Sequence, residues 1–408
     1  MELERVLTLL KFCSLRFPTT ETPGFLMRFY ETSFTTSFNF FYFLIIAKIL
    51  QNAPFVQNVT VAIVCLIILC NVFLLRSFFA CKANVISQLV AEFQEQHDFQ
   101  HEYLRYEMQQ MKKGALRLIN NAYLFLLFFT LVSPTSPSLM ISSGIKGHIT
   151  SGCNEREEFL ISKLLTEHPW WPPTLEPTSK VGKFLLNAWT IKCIVLTDLT
   201  EVVAVLFLSS IMILVAKRAR FLRKTASVAL DPILNSFNLD DCDKWIATYE
   251  SYIGSVNLVK DIIRPIMPLN HYCCLLRLFF SLNMIVYYRS HLFFFICSHL
   301  MLLFSCLVVI VLCCQLMLNE CNRLYEKINK VTTQAITSAK GAVRHNLVVL
   351  NKTNSRGNFK GTFFATKNFM VKQVVLAGLI TLATQHVLRF STATERFTLL
   401  TIKRIFKI

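Results

Sequence analysis

The chain has 408 residues, of which 53% are hydrophobic and only 16% are charged, and its mean hydropathy is +0.47. Soluble proteins carry about a quarter charged residues, so this composition excludes a set of ordinary soluble domains and indicates a single unit embedded in lipid. The net charge of +17 does not indicate a nucleic-acid partner, because the basic residues lie between apolar segments rather than along one helix face.

Seven apolar windows follow one another along the chain. A membrane-spanning helix needs about 20 apolar residues, and six windows meet this requirement clearly. In chain order the predicted spans are 34–50, 55–80, 116–132, 184–216, 268–288, 292–318 and the more polar seventh, 374–402. This pattern predicts an all-α membrane protein with seven transmembrane helices in one domain that covers residues 1–408.

The basic residues predict the orientation of these spans. If the N-terminus is inside, four successive inside segments hold 28 Lys and Arg residues, against 10 in the outside segments. Cytoplasmic loops carry such an excess, so the topology is predicted to be inverted, with a cytoplasmic N-terminus and an extracellular C-terminus. The densest basic cluster, from Lys217 to Lys224, directly follows the fourth span, where it can attract anionic membrane lipid.

The segments between the spans also carry a pattern. Residues 82–113 are predicted to form a cytoplasmic helical extension that continues into the third span, and two further amphipathic stretches, 231–264 and 319–351, are predicted inside. The segment 134–183 is predicted to be an outside loop, in which Pro169, Pro172 and Pro173 prevent regular helix.

Charged residues inside the fourth span form the first candidate site. Asp198 and Glu201 are three residues apart and share a helix face, and Lys192 lies nearly two turns earlier. A charge within a bilayer is costly and usually has a reason, so these residues are either the polar wall of a ligand cavity or a structural pair. Arg277 in the fifth span is a candidate partner for them.

Polar residues in the seventh span form the second candidate site. Gln385, His386 and Arg389 lie within about one helical turn and would line a water-filled path if several copies surrounded an axis. The alternative is a helix buried among the others with its polar groups satisfied.

The sequence offers little that indicates catalysis. His97 and His101 have the four-residue spacing of two metal ligands, but the nine histidines of the chain are too scattered for a membrane metalloenzyme, and a solvated helix face is expected. Neither a phosphate-binding glycine loop nor a Ser, His and Asp arrangement occurs. We therefore expect no enzyme activity, no metal and no cofactor.

Seven spans with an inside N-terminus, the chain length and the cytoplasmic helix extensions together resemble the insect odorant and gustatory receptor superfamily. Three local stretches add to the resemblance: Trp171, Pro172 and Pro173 through Phe184 and Trp189 to Asp198; Val371, Lys372, Leu376, Ala377 and Gly378; and Phe397, Thr398, Leu399 and Leu400. Gustatory receptors carry Thr, Tyr, five apolar residues, Gln and Phe in the last helix. Aligned through Gly378, those positions are here Leu382, Ala383, Arg389 and Phe390, so only the Phe is shared.

The resemblance implies a tetrameric ligand-gated cation channel whose cytoplasmic helices anchor the subunits to one another. It implies that the last helix of each subunit lines the pore, through Gln385, His386, Arg389 and Phe390, and that a small molecule binds in the outer half of each bundle. Four copies of Arg389 would repel cations at the axis, so Arg389 either turns away from the axis or conduction is altered or lost.

These inferences predict a chemosensory receptor for taste or odour in the plasma membrane, acting as a subunit of a homo- or heterotetrameric cation channel. Its expected partners are membrane lipid, a small-molecule ligand and related subunits, without nucleic acid. One alternative is a non-conducting accessory or scaffold protein of the same fold. A multipass transporter would instead require paired half-helices broken by Gly or Pro, which the sequence lacks.

Overall fold

The computed structural model describes residues 4–12, 56–94, 99–147, 180–229, 239–287 and 292–338, with four single positions between 29 and 40. Within these ranges it gives the backbone alone for several stretches, chiefly 56–65, 129–147, 180–198, 280–287, 292–299 and 334–338. Within these ranges every regular element is an α-helix. The helices are α1 (Glu4–Phe12), α2 (Val56–Cys81), α3 (Ala83–Gln94), α4 (Glu102–Gly147), α5 (Lys180–Ala229), α6 (Leu239–Tyr287) and α7 (Leu292–Ser338).

Helix α5 lies at the centre of the bundle. It packs against α1, α2, α4, α6 and α7. Every residue from Val202 to Ala216 is buried, on all sides of the helix. Either protein or lipid can cover a helix that is apolar all round, whereas the buried polar residues Thr200, Ser209 and Ser210 of this helix favour a place among other helices.

The surrounding helices leave large apolar side chains on the outside of the bundle. These exposed residues are Leu66 and Phe73 on α2, Leu124, Phe125 and Phe128 on α4, and Met301, Phe304 and Leu312 on α7. A soluble protein rarely exposes so much apolar surface, whereas hydrocarbon tails cover it without cost. The apolar exterior therefore fits a bilayer environment.

Two helices among the described residues are long and apolar enough to cross a membrane, Leu199–Ala229 and Leu300–Val331. They overlap the predicted fourth span, 184–216, and the predicted sixth span, 292–318, and each extends beyond the end of its window. A third span results if α2 and α3 are counted as one broken span, since they meet at an angle of 66°. Backbone hydrogen bonds continue through this bend, from Lys82 to Phe78 and from Ile86 to Lys82, at 2.9 Å each.

The remaining predicted spans are placed as follows. The predicted 55–80 window matches helix α2 (Val56–Cys81) to within a residue at each end. The window 116–132 lies within α4, and the window 268–288 lies in α6, which ends one residue earlier, at Tyr287. The windows 34–50 and 374–402 fall mostly or entirely outside the described residues, so the seven-span count stays a prediction.

Two predictions about the connecting segments are wrong. The outside loop does not begin at residue 134, because α4 continues through Pro134 and Pro137 to Gly147. Proline is tolerated inside long membrane helices, where neighbouring groups can satisfy the freed carbonyls. The cytoplasmic extension at 82–113 is not one helix either, since α3 ends at Gln94 and α4 begins at Glu102. The predicted continuation of this extension into the third span is correct for α4.

The long helices reach well beyond a bilayer. Helix α5 has 50 residues and α6 has 49, which corresponds to about 75 Å each at about 1.5 Å per residue. A bilayer with its headgroups is about 40–45 Å thick. The excess length is consistent with the predicted helical extensions.

An aromatic row on α6 fixes these extensions to each other. Trp245, Tyr249 and Tyr252 are spaced by four and three residues and are almost completely buried. Trp245 Nε1 donates to Thr225 Oγ1 of α5 at 2.8 Å, and the Tyr252 hydroxyl donates to Cys321 Sγ of α7 at 3.1 Å. Burial raises the pKa of Tyr252 well above its ordinary value, so the phenol stays protonated and remains a donor.

Candidate functional site

The predicted ligand residues all lie on the central helix α5. The side chain of Glu201 is described and only 8% of the residue is exposed. For Lys192 and Asp198 the structure places the backbone on α5 (Lys180–Ala229), while their side chains lie outside the described residues. Glu201 is therefore the residue from which the geometry of this site can be built.

Glu201 is bound by Arg277 of α6. The Arg277 guanidinium donates through Nη1 to both carboxylate oxygens of Glu201, and Arg277 is completely buried. The sequence prediction that Arg277 is a partner for the charges of the fourth span is confirmed for Glu201. Two opposite charges that meet in a low-dielectric interior attract each other more strongly than the same pair would in water.

Two amides complete a network around this ion pair. Asn71 on α2 donates through Nδ2 to Glu201 Oε1 at 2.7 Å and to Asn270 Oδ1 on α6 at 3.4 Å. Asn71 and Asn270 are 1% and 5% exposed. One polar network thus joins α2, α5 and α6 at a depth where the rest of the core is apolar.

This arrangement has a defined chemical capacity. The Glu201 carboxylate already accepts hydrogen bonds from a guanidinium and an amide, so both of its oxygens are engaged in fixed contacts. A buried network of this kind fixes the relative position of three helices, and breaking one member leaves a buried charge unpaired. Among the described residues no group of three His, Cys, Asp or Glu side chains is placed to hold a metal ion.

A second polar cluster joins α3, α5 and α6 near the basic end of α5. Arg218 Nη2 donates to the Glu92 backbone carbonyl at 2.8 Å and Nη1 to Ser255 Oγ at 3.4 Å, while the guanidinium lies 5.3 Å from the centre of the Phe93 ring. Ser251 Oγ donates to the Glu92 carboxylate at 3.0 Å. The sequence predicts that the Lys217–Lys224 cluster attracts membrane lipid. Its member Arg218, however, is buried and binds groups of α3 and α6.

Asp241 of α6 holds the start of α4. Its two carboxylate oxygens accept the backbone N–H groups of Gln100 and His101 at 2.9 and 2.8 Å. These amides lie just before Glu102, the first residue of α4, where helix N–H groups have no partner within the helix. A carboxylate at this end also opposes the positive pole of the helix. His101 therefore takes part in capping α4 through its backbone, and its Nδ1 accepts the backbone N–H of Tyr103 at 3.2 Å.

Glu320 of α7 forms ion pairs with arginines of two helices, α5 and α7 itself. It is 4% exposed and approaches Arg223 at 3.1 Å, Arg220 at 3.7 Å and Arg323 at 3.7 Å. The Arg223 contact is close enough for a charge-assisted hydrogen bond, which is stronger than one between neutral groups. This contact attaches the basic end of α5 to α7.

Sequence reasoning found Glu201 and Arg277 but missed Asn71, Asn270 and Glu320. Asn71 had a usable signal, because it is an amide within an otherwise apolar window and such residues face other helices rather than lipid. Glu320 gave no such signal, since it lies in a mixed polar stretch after the sixth span. The predicted pore residues Gln385, His386, Arg389 and Phe390 lie outside the described residues and stay predictions.

Known structures resemble the whole chain. The structure of the insect olfactory receptor OR5 from Machilis hrabei matches with a TM-score of 0.68 and 9% identity, over 94% of this chain and 97% of that chain. The same receptor in complex with eugenol matches with a TM-score of 0.64 and 11% identity, over 93% and 97%. No protein-family model matches, and no curated protein matches either. At this identity the similarity shows the fold alone. The chain has the fold of the insect olfactory receptor, and this confirms the resemblance that its sequence indicates.

Proposed function

We propose that this chain is a chemosensory receptor for taste or odour that acts as a subunit of a ligand-gated cation channel. The observation that carries the proposal is the match to an insect olfactory receptor over nearly the full length of both chains. A fold supports many functions, so the assignment also needs a site, and the charged network inside the bundle supplies a candidate.

The proposed channel has seven spans, a cytoplasmic N-terminus and an extracellular C-terminus in the plasma membrane. The Lys and Arg excess supports this orientation, because the basic cluster Lys217–Lys224 marks the cytoplasmic end of α5. The packing of α5, α6 and α7 beyond the apolar segments supports cytoplasmic extensions that anchor four related subunits.

The ligand site is proposed in the outer half of the bundle along α5, with Lys192, Asp198 and Glu201 facing the ligand. Helix α5 places Lys192 about 13 Å along the axis from Glu201, which is the length of a small organic molecule. The related receptor has been solved with eugenol, a small molecule. A ligand that binds one arrangement of α2, α5 and α6 better than another would shift the balance between closed and open states.

The pore is proposed along the last helix of each subunit, with Gln385, His386, Arg389 and Phe390 towards the axis. Arg389 is the residue that decides between the leading proposal and a non-conducting scaffold. Four guanidinium groups around an axis would repel permeating cations, whereas one that turns away would not.

Whole-cell recording tests this proposal. The chain, its Arg389→Gln variant and an Arg404→Gln control are expressed alone and with a related subunit, and currents are recorded against a panel of odorants and tastants. Ligand-evoked cation currents from the parent support the channel. Currents from the Arg389→Gln variant, with none from the parent or from Arg404→Gln, support a pore that Arg389 blocks. Silence of every combination, with surface expression verified, refutes the channel and favours the scaffold.

The orientation has its own test. An epitope tag at Met1 is probed by antibody on intact and permeabilised cells. We expect labelling only after permeabilisation. Labelling of intact cells would refute the inverted topology and with it the channel architecture proposed here.

A further inference from the structure

A basic cavity that is broadly open to solvent lies between α5 and α7, at the end of α5 that carries the Lys217–Lys224 cluster. Its volume is about 480 Å³. The lining residues are Arg223, Lys224, Ser227, Arg323, Glu326, Lys327 and Lys330. Cavities of 300–1,000 Å³ hold small organic ligands, as a rough guide. The cavity is separate from the intramembrane network around Glu201.

The charge of the lining is strongly positive. Five cationic side chains face one carboxylate, and two more carboxylates, Glu320 and Glu107, pair with Arg223 and Lys224 from the walls. With all three carboxylates counted, two positive charges remain in excess. Lys327 and Lys330 take part in no ion pair with any residue that the structure describes. An anion that entered would thus meet cations without having to displace a carboxylate.

The donors suit phosphate better than a single carboxylate. Arg223 and Arg323 offer planar forks that match two phosphate oxygens at once, the lysines offer point charges, and Ser227 offers a hydroxyl. The five cations come from two helices, so a ligand with several phosphates can contact more of them at once than a single phosphate can. The geometry points to a ligand with several phosphates on a compact ring.

The distance of the cavity from the predicted membrane spans agrees with such a ligand. Arg223 lies seven residues past the predicted fourth span and Lys327 nine past the predicted sixth, which is about 10–14 Å along each helix. The headgroup layer on one side of a bilayer is only about 5–8 Å thick. The cavity is therefore reached by a phosphorylated headgroup that projects from the membrane or by a soluble polyphosphate.

We propose that this cavity binds a phosphorylated inositol, either as the headgroup of an inner-leaflet lipid or as the free inositol phosphate. Basic pockets between membrane helices on the cytoplasmic side are suited to such headgroups. Occupancy would bridge α5 and α7 and stabilise the packing of the extensions. The cytoplasmic location rests on the proposed topology, but binding itself does not depend on channel activity.

Binding to the purified full chain in detergent tests the proposal. The probes are inositol trisphosphate in solution and lipid nanodiscs of phosphatidylcholine with or without phosphatidylinositol bisphosphate. The variant Lys327→Gln/Lys330→Gln removes the two unpaired lysines. The control Lys113→Gln/Arg264→Gln removes the same charge from exposed residues outside the cavity. Size-exclusion profiles verify that all variants fold.

We expect saturable binding that the cavity variant weakens about tenfold or more and the control variant leaves within about twofold. Binding of the soluble trisphosphate assigns the site to the free metabolite, and binding of the lipid alone assigns it to the headgroup. Either result supports the site. No binding of either probe overturns the proposal, as does an equal loss in the two variants, which would show only nonspecific attraction. Because no current is measured, failure here leaves the channel proposal standing, and the reverse also holds.

Discussion

The buried ion pair between Glu201 and Arg277 gives the sharpest prediction about this protein. Replacing Glu201 with Gln keeps the size of the side chain but leaves the Arg277 charge in a position with no solvent exposure. Removing one partner of a buried pair costs about 3–5 kcal/mol, because the remaining charge is neither paired nor hydrated. Asn71 also loses its charged acceptor, since it donates to Glu201 at 2.7 Å.

The double variant Glu201→Gln/Arg277→Met separates this cause from simple loss of a contact. With both charges gone, no unpaired charge is buried, so most of the stability should return. We expect a coupling free energy of about 2–3 kcal/mol between the two sites in a double-mutant cycle. Additive losses from the two single substitutions would refute the ion pair as the origin of the effect.

The assay is thermal unfolding of the purified chain in detergent, followed by the amount of protein that still elutes as a folded peak. The unfolding midpoint of a domain of about 150–250 residues shifts by about 2–4 °C per kcal/mol, and that of a larger chain shifts by less. We therefore expect Glu201→Gln to lower the midpoint by about 5 °C. The matched control is Glu250→Gln, an exposed glutamate on α6, which should change the midpoint by less than about 1 °C. Equal midpoints for Glu201→Gln and the control would contradict the reasoning.

Three further predictions concern the helical extensions. Asp241→Ala removes the acceptor for two backbone amides at the start of α4, so the amides of 99–104 should exchange hydrogen about tenfold faster, and unchanged exchange would exclude this capping role. Trp245→Phe leaves Thr225 without its indole donor and should cost about 1–3 kcal/mol in the unfolding assay, a loss that Trp245→Ala should exceed. Glu320→Gln removes a carboxylate that competes for the cavity arginines and should tighten inositol trisphosphate binding several-fold, whereas weaker binding would place the phosphates elsewhere.

Much of the helix placement could be predicted from the sequence, because hydropathy responds directly to the solvent around a helix. The window 55–80 matches α2 closely, and the start of the sixth window coincides with the start of α7 at Leu292. Hydropathy does not predict the end of a helix that continues beyond its apolar segment. Helix α4 continues to Gly147 through two prolines, and the polar stretch of α6 joins its apolar stretch without a break.

The partner of a buried charge is harder to predict than its position. Glu201 stands out in an apolar segment because an intramembrane carboxylate is costly. Arg277 is 76 residues away and Asn71 is 130 residues away, so no local spacing relates either of them to Glu201. Their meeting depends on how α2 and α6 pack against α5. The sequence could nominate Arg277 only because few basic residues occur inside the spans.

The low identity to the solved receptor bears on what this chain recognises. At 9% identity the two proteins share helix positions but few side chains, so any ligand preference has to come from residues of this chain itself. Of the buried charges among the described residues, Glu201 and Arg277 form the pair that lies at the proposed ligand site on α5. A wholly apolar ligand could not replace hydrogen bonds that it disturbed there, and each unpaired buried group would cost about 1–3 kcal/mol. We therefore expect the proposed receptor to favour a ligand with polar or charged groups, and a response confined to hydrocarbon odorants would contradict the ligand site proposed along α5.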